Sequence, residues 1–156
     1  MPHFDYFNQS FHYSVKNWLP FYWLGYDSTI YYSYVIDDLT NLDKVFENIT
    51  SSYRNKIKKA QKTLKIKKGL SIEDFYEINR MTFKRQNIKI PYSFEFLKRH
   101  DNYLSKHKSR EIFYAVDDDN QVHSALYLTW DYNSSYVHMV GENPDLRNSG
   151  AGMLVI

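Results

Sequence analysis

Ser135-Tyr136-Val137-His138-Met139-Val140-Gly141, followed by Glu142-Asn143-Pro144 and then by Arg147-Asn148-Ser149-Gly150-Ala151-Gly152, decides how the fold is read. The first seven residues are β-branched and aromatic enough to predict a strand, and Asn143-Pro144 ends it. A glycine-bearing loop follows, and the apolar run Met153-Leu154-Val155-Ile156 reads as the first turn of a helix. A strand passing through such a loop into a helix suits an anion. Glycine lets the backbone approach closely, and the free N–H groups at a helix start carry partial positive charge.

Spacing separates this loop from two familiar phosphate loops. A dinucleotide fingerprint would place a third glycine where Val155 stands, and a Walker loop would need Gly-Lys-Ser/Thr. The remaining pattern, Arg-x-x-Gly-x-Gly, resembles the pyrophosphate-binding loop of the GNAT acyltransferases, which use acetyl-CoA to acylate amines. Three other segments join it in order: Trp18-Leu19-Pro20-Phe21-Tyr22-Trp23, Tyr53-Arg54-Asn55-Lys56-Ile57-Lys58-Lys59-Ala60 and Thr82-Phe83-Lys84-Arg85-Gln86. With Asn143-Pro144-Asp145-Leu146-Arg147 before the glycines, the chain from about Phe11 to Ile156 resembles a GNAT subgroup related to the Fem-type aminoacyltransferases.

The resemblance implies an α/β (α+β) fold, a mixed and largely antiparallel sheet flanked by helices, in a single domain over residues 1–156. It implies transfer of an acyl group from acetyl-CoA or another acyl-CoA to an amine acceptor, either a small molecule or a cell-envelope amine. Met139, Val140 and Gly141 on the strand, with Arg147, Asn148, Ser149, Gly150, Ala151 and Gly152 in the loop, would then hold the co-substrate. Arg85 and Gln86 would line the acceptor side. Two other readings stay open: a Fem-type enzyme using aminoacyl-tRNA, and a non-catalytic fragment or interaction domain. Family members carry more strands and a helix after this loop, so the chain is expected to be a partial domain with weak CoA binding and no turnover of its own. An open sheet edge would favour self-association.

Composition bounds the remaining possibilities. A chain of 156 residues can bury a core, and a formal net charge of +2 is too mild for a nucleic-acid surface over the whole protein. Fifteen Tyr and ten Phe suit strands and amphipathic faces rather than disorder. The absence of cysteine removes disulfides and thiol nucleophiles. Trp18 to Gly25, the longest apolar stretch, is too short to span a bilayer, and cytoplasm is the expected compartment.

Met1 to Lys16 shows no clear period and reads as irregular. The Trp18–Trp23 segment is expected to be a buried strand edge or core plug, with Pro20 excluding a central strand. Alternation predicts a strand over Ser28 to Ile36. Thr40 with Asp43 resembles a capping box, opening one helix that carries apolar residues from Leu42 through Ala60. Its second half is basic, with Arg54, Lys56, Lys58, Lys59 and Lys62, which reads either as a patch facing an anionic donor or as a solvated face. Leu64 to Lys68 predicts a strand ended by Gly69. Ser71 caps a helix burying Ile72, Phe75, Tyr76, Ile78 and Phe83 and finishing near Arg85. Ser93 caps another, with Phe94, Phe96, Leu97 and Leu104 apolar. Ile112 to Val116 and Val122 to Trp130 flank the hairpin turn Asp117-Asp118-Asp119-Asn120, and a second turn at Asp131 to Ser134 leads to the opening strand, completing a three-strand meander.

Little other chemistry is visible. The six histidines have no helical i, i+4 pair, so no metal is expected. No Gly-x-Ser-x-Gly elbow supplies a nucleophile. Direct transfer needs positioning, an oxyanion donor from the Tyr136–Gly141 strand, and a base for the amine proton. His138 and Glu142 are the candidates for that base.

Overall fold

The computed structural model describes residues 6–12 and 14–156, so the beginning of the irregular Met1 to Lys16 segment, and Tyr13, lie outside the described residues. The chain divides into two compact units, residues 1–45 and 46–156.

In the first unit, helix α1 spans Leu19–Trp23, with Pro20 in its opening turn, where a missing N–H costs nothing. This corrects the expected buried plug: Trp18 is 46% and Trp23 75% exposed. Its rings pack locally, Trp18 on Tyr22 at 5.3 Å and Phe11 on Phe21 at 4.9 Å. Ser28 to Ile36 is a second correction. The segment forms no strand, and Tyr32 and Tyr34 are fully solvent-facing. Alternation supplies side-chain faces, but a strand forms only when a neighbouring backbone takes its hydrogen bonds.

Helix α2, Leu42–Asn48, crosses the boundary between the units. Asn41 Oδ1, not the expected Thr40, caps it by accepting from the Lys44 N–H at 3.0 Å, while the N–H and hydroxyl of Thr40 donate to Asp38. The single helix expected through Ala60 is two. Thr50 is extended (φ −57°, ψ 147°), and helix α3 spans Ser51–Ala60. The Arg54 guanidinium donates to the Glu47 and Ile49 carbonyls at the end of α2, groups that helix geometry leaves without partners.

The second unit is built on a four-stranded sheet in the order β1-β2-β3-β4, with β1 Lys65–Lys68, β2 Arg110–Val116, β3 Val122–Trp130 and β4 Ser135–Glu142. Every pairing is antiparallel, so the sheet is not mixed. Helix α4, Ile72–Arg85, and helix α5, Phe94–Lys106, start at the expected caps: Ser71 Oγ accepts from Asp74 N–H at 3.0 Å, and Ser93 Oγ from Phe96 N–H at 3.2 Å. Their apolar sides meet Ile112, Ala125 and Tyr127 on one sheet face, where Phe75 sets its ring edge-on to Tyr127 at 5.4 Å. Phe96 departs from its expected place and is 54% exposed, because the buried stripe of α5 passes through Leu97 and Asp101. On the opposite face, Ala60 and Leu64 pack with Ala115, Leu126, Ala151 and Val155. That places α3 and the helix after the glycine loop on one side and α4 and α5 on the other.

Candidate functional site

β4 is not a regular strand. Its register on β3 jumps, Tyr127 pairing with Met139 and Leu128 with Val137, so His138 is an extra residue with no cross-strand partner. Such a bulge re-aims side chains, and it turns His138 to the same face as Met139. The His138 ring stacks on His100 of α5, centroids 5.2 Å apart and planes 27° apart, and lies 6.0 Å from Tyr127. Burial first, and His100 second, lower its pKa below the ordinary histidine value and favour neutral imidazole.

Glu142 lies on the other face. Val140 packs into the cluster with Leu126 and Ala151, and Glu142, two residues on, shares that side. Its Oε2 is 3.5 Å from Arg147 Nε, and its Oε1 is 3.3 Å from where a Cβ on Gly152 would stand. The sheet therefore separates the two base candidates.

After β4, the Asn143 side chain accepts from Asp145 N–H at 3.0 Å and starts a 3-10 turn, Pro144–Ser149. Gly150 ends it in the left-handed region (φ 78°), which only glycine enters readily, and helix α6 begins at once, Ala151–Val155. Ala151 N–H donates to Ser149 Oγ at 3.3 Å, and Met153 N–H to the Gly150 carbonyl at 3.1 Å. No side chain among the described residues accepts from the N–H of Gly150 or Gly152. Arg147 and Asn148 are exposed at the rim, while Ala151 is buried against Ala60.

The basic helix lies on the loop's side of the sheet. A Cβ on Gly150 would stand 3.4 Å from Ala60 Cβ and 3.5 Å from the Lys56 carbonyl. Arg54 is committed to α2, whereas Lys58, Lys59 and Lys62 are exposed.

The strand residues assigned to the co-substrate divide by face. Met139 and Gly141 turn toward α4, with the Tyr92 hydroxyl 3.4 Å from Met139 Sδ, and Val140 turns toward α6. The outer edge of β4, expected to be open, is partly closed by α4: Asn79 Nδ2 donates to the Val140 carbonyl at 2.8 Å, and Thr82 Oγ1 accepts from Glu142 N–H at 2.9 Å. Neither contact was legible in the sequence: Asn79 belongs to no motif, and Thr82, though it opens the Thr82–Gln86 segment, pairs with a residue 60 positions away.

Arg85 and Gln86 are exposed at the end of α4. A surface cleft of about 460 Å³ opens nearby, but Arg80, Phe83, Lys84 and Lys89 line it, and Arg85 and Gln86 do not. The i, i+4 spacing of Arg80 and Lys84 was the available signal. No cluster of three or more His, Asp or Glu among the described residues is arranged to hold a metal ion, and no described helix is long and apolar enough to cross a membrane. A scan against protein-family models and a search of curated proteins give no significant match.

Proposed function

We propose that this chain is an N-acyltransferase that passes an acyl group from acyl-CoA to an amine. The observation that carries the reading is the glycine loop itself, with the Gly150 and Gly152 N–H groups lacking side-chain acceptors among the described residues, at the end of β4 and beside Arg147. Backbone donors of this kind suit a pyrophosphate, and Arg147 adds charge. In this reading the acyl carbonyl lies along the β4 edge, where antiparallel alternation turns the Val140 N–H outward with the carbonyl that Asn79 meets. The amine nitrogen attacks the thioester carbon, the C–S bond breaks, and the amine proton passes to His138, which its surroundings keep neutral. Glu142, held by Arg147, orients that arginine toward the loop.

A second reading is favoured by the position of α3. Its backbone passes beside Gly150 and it carries exposed lysines, which suits a donor with a phosphate backbone, as in aminoacyl-tRNA. Thermal denaturation of the chain with millimolar acetyl-CoA, CoA or tRNA separates the readings. Acetyl-CoA and CoA are expected to raise the melting temperature in a dose-dependent way. A rise with tRNA alone supports the second reading, and no rise with any of the three overturns both.

A further inference from the structure

His100 and His138 face each other across the contact between α5 and the β4 bulge. The bulge brings His138 to this side, and the Tyr127 ring lies 6.4 Å from His100 and 6.0 Å from His138. His100 Nε2 is buried, and no group among the described residues bonds to it.

The acidic group next to His100 in the chain is already engaged. Asp101, next to His100 on α5, accepts from the Tyr127 hydroxyl through Oδ1 and from Arg110 Nη2 through Oδ2, both at 2.8 Å. Its carboxylate is thus committed to an ion pair with β2 and a hydrogen bond with β3. Burial, and then the bond to Asp101, push the Tyr127 hydroxyl far above its ordinary pKa, so it stays neutral. One proton on the histidine pair is tolerable, but two put like charges face to face.

We propose that His100 and His138 form a proton-operated clasp between α5 and the β4 bulge, closed while the pair carries at most one proton and opened when both rings are protonated. The sign follows from the native preference for neutral His138. The stabilisation is complete above the ordinary value near 6.5 and is lost as pH falls through the lower native value. Opening frees α5 and the bulge while β2 and β3 remain paired. The clasp stands independently of the acyltransferase reading.

The test is a ring-proton NMR titration of the full chain from pH 8 to 4.5, with amide exchange corrected for its intrinsic pH dependence. Two coupled steps are expected, the second at least about one pH unit below the first. At the second step, protection of α5 and of Val137–Met139 should fall by roughly tenfold or more, and protection of Ile112–Ala115 should persist. In His100→Phe, which keeps a ring in the stack, His138 should titrate in one step at higher pH and the acid loss of protection should vanish. His138→Phe gives the reciprocal reading on His100 if the first variant does not fold, and the two-step curve of the unaltered chain decides if neither does. Independent single-step curves, or protection lost at the same pH with and without the second histidine, would overturn the clasp.

Discussion

Gly141 on β4 lies against the main chain of Asn79 on α4: a Cβ at Gly141 would stand 2.7 Å from the Asn79 backbone nitrogen and 2.7 Å from Ile78 Cγ2. Close packing here lets Asn79 reach the Val140 carbonyl, while Tyr92 donates to Asn79 Oδ1 at 2.5 Å. Backbone cannot move aside as a side chain can. Gly141→Ala is therefore expected to destabilise the second unit by about 1–3 kcal/mol, read as a lower urea midpoint. An unchanged midpoint would show that α4 does not seat this tightly.

Asp101 is 4% exposed and joins Arg110 to Tyr127. Asp101→Ala would leave a largely buried guanidinium without its carboxylate. The expected loss is about 3–5 kcal/mol by chemical denaturation, well above that of Tyr127→Phe, which removes one hydrogen bond worth about 1 kcal/mol. Equal losses in the two variants would contradict the ion pair's role.

The two loop glycines should respond differently. Gly150→Ala forces a Cβ into the left-handed region, 3.4 Å from Ala60 Cβ, and is expected to cost about 1–2 kcal/mol in stability. At Gly152 the nearest group is the end of the Glu142 side chain, which can swing away. Gly152→Ala is expected to leave the melting temperature within a few degrees of the original while abolishing the rise produced by acetyl-CoA. A preserved rise would detach Gly152 from co-substrate binding.

Asp117 accepts from His123 Nε2 at 3.0 Å and from Gln121 N–H at 2.8 Å. The bond from His123, and then the one from Gln121, hold its pKa below the ordinary carboxylate value. A depressed carboxylate stabilises the native chain above its unfolded pKa of about 4, and that stabilisation disappears as pH falls through the native value. Asp117→Asn should flatten the acid limb of stability below about pH 4, measured by denaturation across pH. An identical acid limb in the variant would rule the contact out as a contributor.

Features written in neighbouring residues were legible. Ser71 and Ser93 cap their helices because a hydroxyl reaches an N–H three residues on, and Asp117–Asn120 turns because Asp117 bonds Gln121 and Asn120 accepts a left-handed backbone. The glycine loop and the start of α6 are equally local, whereas the 3-10 turn of Pro144–Ser149 was not read from the sequence.

What the sequence determined by itself was therefore the set of elements after Leu64 and the place of the loop, since caps, turns and strand periods act over only a few residues. Tertiary structure alone decided whether a strand pattern finds a partner, as β4 does on β3 and Ser28 to Ile36 does not. It also decided the bulge, and with it that His138 meets His100 on one face while Glu142 meets Arg147 on the other. One extra residue reverses the alternation of a strand, and pairing with β3 determines where that residue is inserted.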